Sequence, residues 1–134
     1  VTVSATSESD EYISLITLRT ITADAENTIA GTIYGKKDPR IVRVNKFRLE
    51  MIPEGHMALI HNLDRPGAIG SIGMTLGKHA INIGRMQVGQ EAEDNRNIIF
   101  LCTDTAIPDL VLEELRGLPL VKTVTPLEFG VCNR

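Results

Sequence analysis

Apolar and polar positions in the first fifty residues alternate in short runs. Val1–Ala5, Tyr12–Thr22 and Thr28–Tyr34 are rich in β-branched residues, with Ser7–Glu11 and Ala23–Asn27 as polar connectors. Gly35-Lys36-Lys37-Asp38-Pro39 predicts a turn, and Arg40–Asn45 and Phe47–Ile52 predict two further short strands. Short polar links between successive strands imply antiparallel hairpins. Pro53-Glu54-Gly55 breaks the pattern, so one domain is expected over 1–54 and a second over 55–134. Five strands with no helix to cover them, in a chain that opens on Val1, read as the end of a larger domain.

The period then changes. A strand at 57–61 leads into a helix at 67–78 with Ile69, Ile72, Gly73 and Leu76 on one face, ending near Lys78-His79. Asn82–Gln90 reads as a strand, Glu91–Asn95 as a polar turn and Asn97–Cys102 as an apolar strand. Pro108 opens a second helix whose Val111, Leu112, Leu115 and Leu118 share a face, with Gly117 near its end, and Val121–Phe129 is the last strand. The order βαββαβ predicts an α+β, ferredoxin-like domain preceded by an antiparallel, β-rich partial domain. Two right-handed crossovers place both helices on one side of the sheet. The other face or an edge is left for a partner chain, and Met86 is a candidate for that contact.

The turn from His61 to Gly70 is the most informative stretch. Pro66 suits a first helical turn, and Asp64 or Arg65 stands where a cap is needed. The N–H groups of Gly67, Ala68 and Ile69 would then lie unpaired at the positive end of the helix, where a carboxylate or phosphate is favoured. Such a turn points to a sensor of a small charged metabolite.

Composition narrows the choice further. With 134 residues, 43% apolar and 23% charged, the chain suits one ordinary domain, or a small domain with part of another. No apolar run approaches the roughly 18 residues of a membrane span, and no signal peptide is evident, so a cytoplasmic protein is expected. A net charge of −3, no Trp and few other aromatics argue against nucleic acid. Cys102 and Cys132 are expected as free thiols, and His56, His61 and His79 have no spacing for a metal. Glu113-Glu114 and the acidic run at 91–94 suit solvated faces, and no nucleophile elbow, phosphate loop or dinucleotide fingerprint is present. The fragment is therefore expected to lack catalytic apparatus and cofactor.

Gly55-His56-Met57-Ala58-Leu59-Ile60-His61-Asn62-Leu63-Asp64-Arg65-Pro66-Gly67 and Ile81-Asn82-Ile83-Gly84-Arg85-Met86-Gln87-Val88-Gly89 together resemble the C-terminal ACT domain of bacterial D-3-phosphoglycerate dehydrogenase. Gly31–Gly35 and Pro39–Asn45 resemble the latter part of that family's intervening, or allosteric substrate-binding, domain. The resemblance implies the regulatory tail of an NAD-dependent enzyme of serine biosynthesis, with NAD and the catalytic domains carried elsewhere in the parent. It implies a homo-oligomer joined through ACT domains, with L-serine or a related amino acid between two copies. The family's polar groups map onto Asn62 and Asp64 at the turn, and onto Asn82 reaching across from the partner. A zwitterion would find donors in the turn N–H groups and Asn82, and an acceptor in Asp64. Lys36, Lys37 and Arg40, with Arg43 nearby, form a basic cluster where the family has an anion site, which Arg40 matches. The alternatives are the equivalent part of an iron-sulfur L-serine dehydratase, or a ligand-free oligomerisation module.

Overall fold

Strand-forming sequence in the first half becomes five antiparallel strands, β1 (Thr2–Thr6), β2 (Leu15–Ile21), β3 (Glu26–Tyr34), β4 (Asp38–Val44) and β5 (Phe47–Met51). Each pairs with its neighbour in the chain. The computed structural model describes residues 2–6, 14–91 and 94–130, so the connector Ser7–Glu11, Tyr12, Ala92, Glu93 and Cys132 lie outside the described residues. The chain divides into two units, Val1–Pro53 and Glu54–Arg134.

In the first unit the turn after β3 is shorter than expected. Tyr34 pairs with Asp38 and Ile33 with Pro39, so β4 absorbs Asp38 and Pro39 and leaves Gly35-Lys36-Lys37 as the loop. Gly35 adopts φ 61°, which glycine tolerates. Asn45, at φ 52°, makes the next turn. Its Oδ1 accepts from Thr28 N at 2.8 Å and its Nδ2 donates to Asn27 Oδ1 at 3.2 Å, tying the turn back to β3. One face of this sheet carries an open apolar hollow of about 400 Å³ lined by Leu18, Ile41 and the exposed Ile16, Ile29 and Ile33.

The second unit comprises β6 (His56–Leu63), α1 (Ala68–Lys78), β7 (Ile83–Glu91), β8 (Arg96–Thr103), α2 (Asp109–Arg116) and β9 (Val121–Glu128). Its strand order is β7-β8-β6-β9, all antiparallel. That is the ferredoxin-like α+β arrangement expected from the sequence. β6 and β8 are central. β8 is buried at Asn97–Leu101 without a break, which is why its sequence is a continuous apolar run and not an alternating one. Ile60 of β6, Ile99 and Leu101 of β8 and Val121 and Val124 of β9 join Ile72 and Leu76 of α1 and Val111, Leu112 and Leu115 of α2 in one core.

The helices obey their periodicity with one change. α1 buries Ala68, Ile72, Thr75 and Leu76, whereas Ile69, expected inward, is 41% exposed. At 100° per residue the buried stripe is centred between Ile72 and Ala68, and Ile69 falls on its flank. Beyond its end, Ala80 takes φ 57° and Ile81 N returns to Leu76 O at 3.0 Å, closing the C-terminus without glycine. At its C-terminal end Lys78 and His79 both reach Glu114 of α2. Those two donors hold the Glu114 carboxyl below its ordinary range. No helix among the described residues is long and apolar enough to cross a membrane.

Two positions of α1 give opposite expectations. Leu76 is fully buried, so Leu76→Ala should lower unfolding free energy by about 2–5 kcal/mol in urea titration. At Gly73 a Cβ would meet nothing within 4 Å, so Gly73→Ala should raise it by about 0.5–1 kcal/mol.

Candidate functional site

The end of β6 carries polar side chains into the core face of the sheet. Ile60 pairs with Ile99 and Val124, and two residues on Asn62 pairs with Asn97 and Val121. Strand side chains alternate, so both asparagines share the inward face of Ile60 and Ile99. They are 1% and 3% exposed. Asn62 Nδ2 donates to Leu63 O at 2.9 Å, and Asn97 Nδ2 donates to Asp64 Oδ1 at 3.0 Å. Carbonyl and carboxylate oxygens only accept, which fixes both amides with Nδ2 toward these partners. Asn62 Oδ1 and Asn97 Oδ1 are left shielded and without a hydrogen-bond partner. A buried acceptor in that state is destabilising by about 1–3 kcal/mol.

The turn that follows is built differently from the expected helix cap. Ala68 N donates to Arg65 O at 3.2 Å around Pro66 and Gly67, with Gly67 at φ 92° and ψ −15°. Proline followed by a positive-φ glycine is the signature of a type II β-turn. Pro66 therefore precedes the helix, Gly67 is the N-cap residue and no side chain caps α1. Neither Asp64 nor Arg65 plays that part. Asp64 instead binds Asn97, and its N–H donates to Asn95 O at 2.7 Å. Of the three N–H groups expected to be open, that of Ala68 is used within the turn. That of Ile69, and that of Gly70, which was not among the three, precede the first regular helical bond, Ser71 N to Gly67 O at 2.9 Å, and point out of the helix start.

Asn82 stands elsewhere in the chain. It lies just before β7, whose Ile83 pairs with Thr103 at the far end of β8, whereas Asn97 is the second residue of that strand. Six strand steps separate the two ends, roughly 20 Å at about 3.3 Å per residue. Asn82 is exposed, its Nδ2 donating to Asp104 Oδ2 at 3.0 Å and its carbonyl accepting from Asp104 N at 3.3 Å. One copy of the chain thus brings Asn62, Asp64, Gly67, Ala68 and Ile69 together but not Asn82.

His61 faces the other side of β6. Its Nδ1 lies 3.0 Å from Thr123 Oγ1. Burial first, and the positive charge of Arg96 second, lower its pKa. In the first unit Lys36 and Lys37 are exposed at the turn. Arg40 is half-buried, donates to Pro39 O at 3.0 Å and lies 5.5 Å from the Tyr34 ring centroid, so it is partly engaged by its own hairpin. Among the described residues no three His, Cys, Asp or Glu groups are placed to hold a metal, and Cys102 is a free thiol.

Asn97 is the residue that sequence reasoning missed. Its signal was present: Ile99 and Leu101 must point inward, and period two then puts a polar residue inward at position 97.

The family model for the ACT domain matches residues 56–120. The chain is 36% identical over 126 residues, 94% of its length, to a D-3-phosphoglycerate dehydrogenase of Methanocaldococcus jannaschii, covering 24% of that protein. It is 36% identical over 105 residues to the Mycobacterium tuberculosis D-3-phosphoglycerate dehydrogenase, which is 77% of this chain and 20% of the relative. A third relative of the same name, from Bacillus subtilis, is 32% identical over 102 residues, 76% of this chain and 19% of its own length. The chain thus spans about a fifth to a quarter of these curated relatives.

A lowered His61 pKa means that the fold favours the neutral ring. As pH falls through about 6.5 the unfolded chain takes up that proton first, so the contribution of His61 is present above this pH and is lost as pH falls through the lower folded value. Thermal midpoints measured from pH 8 to 5 should therefore drop less steeply below about pH 6.5 for His61→Gln than for the unaltered chain. Identical slopes would contradict the assignment.

Proposed function

The second unit belongs to the ACT-domain family, in a chain similar over most of its length to D-3-phosphoglycerate dehydrogenases; on that premise we propose that it is the regulatory part of such an enzyme and senses L-serine. The observation that carries the proposal is the polar head of α1. Buried acceptors at Asn62 and Asn97, the Asp64 carboxylate and the outward N–H groups of Ile69 and Gly70 stand at one end of the unit, beside its apolar core. An amino-acid zwitterion needs donors for one end and acceptors for the other, and this end of the unit offers both.

In this reading the pocket is completed by a second copy. Asn82 lies at the far end of its own sheet, so its amide serves the site of a partner ACT domain. Residues 1–53 are then the closing strands of the intervening domain, with Arg40, Lys36 and Lys37 at its anion site. NAD and the catalytic groups belong to other domains of a cytoplasmic, oligomeric parent. Serine acts by linkage: it stabilises whichever arrangement of paired ACT domains holds it more tightly, and only that difference in affinity can reach the catalytic domains.

Calorimetry of the chain with L-serine, under conditions where the chain is dimeric, should show saturable binding. Asp64→Ala and Asn82→Ala should each weaken it by roughly tenfold or more, the loss expected for a hydrogen bond to a charged group. Absence of heat at millimolar serine would contradict the proposal.

A further inference from the structure

Asn62 Oδ1 and Asn97 Oδ1 are the buried side-chain oxygens without hydrogen-bond partners among the described residues, and they belong to residues directly opposite each other on β6 and β8. We infer that Asn62 and Asn97 form one paired acceptor for the ammonium group of the effector, which makes Asn97 a ligand-recognition residue and fixes the direction in which the ligand lies. The inference rests on the amino-acid-sensing reading above and deepens it.

Neither amide can turn over to offer a donor instead. Asn62 Nδ2 is held by Leu63 O and Asn97 Nδ2 by Asp64 Oδ1, and a flip would set oxygen against oxygen at both places. The site therefore presents two carbonyl oxygens beside a carboxylate, an assembly of acceptors alone. An ammonium brings three donors and no acceptor, and matches it. A carboxylate set there would meet only oxygens. At the start of α1 the polarity is reversed, since Ile69 N and Gly70 N precede the first helical hydrogen bond and lie at the positive end of the helix. The zwitterion is thus held with its ammonium against the sheet and its carboxylate toward α1. Both oxygens are shielded from solvent, so the ligand reaches them only after the groups that cover them move aside.

An ordered water bridging both oxygens is the competing occupant. Two probes on the whole chain separate it from an ammonium: L-serine, and 3-hydroxypropanoate, which keeps the carboxylate and hydroxyl but has hydrogen in place of the ammonium. Competition calorimetry should find 3-hydroxypropanoate weaker than L-serine by about a hundredfold or more. In Asn97→Ala the L-serine affinity should fall by at least about tenfold while that of 3-hydroxypropanoate changes little, so that the discrimination shrinks. A merely structural loss would weaken both ligands alike. Equal binding of the two probes to the unaltered chain overturns the inference, as does an unchanged discrimination ratio in a folded Asn97→Ala. If that variant does not fold, the two probes on the unaltered chain decide. L-serine that binds without regard to Asn97 or to the ammonium leaves the sensing proposal standing and removes this one. Failure of L-serine to bind the unaltered chain removes both.

Discussion

Pairing of β6 on both sides is the constraint on which the ACT unit depends. His56 to Leu63 is matched residue for residue by β8 along one edge, and by β9 along the other as far as Asn62. This double pairing sets which side chains face the helices. Ile60 goes inward beside Ile99 and Val124, and α1 and α2 close over them with Leu76 and Leu115, both fully buried. Because the side-chain period of a strand is two, a slip of one residue would turn the whole inward row outward. The same register that buries Ile60 necessarily buries Asn62. A polar group in the core is therefore a consequence of the pairing and not an accident of one side chain.

That consequence links the fold to its chemistry. The inward row ends in amides where the chain leaves the sheet, and the Pro66-Gly67 turn starts α1 only after Asp64 has been bonded to Asn97. A side-chain cap would have occupied the first N–H groups of the helix. A backbone turn leaves those of Ile69 and Gly70 directed outward. Acceptors from β6 and β8 and donors from the start of α1 are thus brought to one end of the sheet.

Much of this was legible in the sequence because the physical signals were local and strong. Val111, Leu112 and Leu115 announced a helix face, Ile98 to Cys102 a buried strand, and Pro53 with Gly55 a break. What was misread was subtler. Pro66 is compatible with a first helical turn and with a type II turn, and only the positive φ of Gly67, which depends on how the chain must rise from the sheet onto its face, separates them. Ile69 shares a face with Leu76 by spacing but lies on the flank of the stripe that Ala68, Ile72, Thr75 and Leu76 bury, and spacing alone does not say which flank the sheet covers. Pro39 was assigned to a turn because proline usually interrupts strands, yet the Tyr34–Asp38 pair draws it into β4. Asn97 was passed over because an asparagine beside an apolar run looks like a strand boundary, although its two-residue spacing from Ile99 puts it on the inward face. The roles given to Asn82 and Arg40 came from likeness to a family. Strand and helix periodicity carries no signal for either role.

β9 pairs less regularly than β8. Thr123 meets His61 and Val121 meets Asn62, so Lys122 is an extra residue on the edge strand. Both valines face the core despite three steps between them. Removal of Lys122 would restore regular alternation while keeping Val121 and Val124 inward, whereas a change of one residue within β6 or β8 would reverse the faces of everything beyond it. Length variation among descendants of this chain is therefore steered to the edge at Lys122, and the central strands, which carry the asparagines, are held to a fixed count.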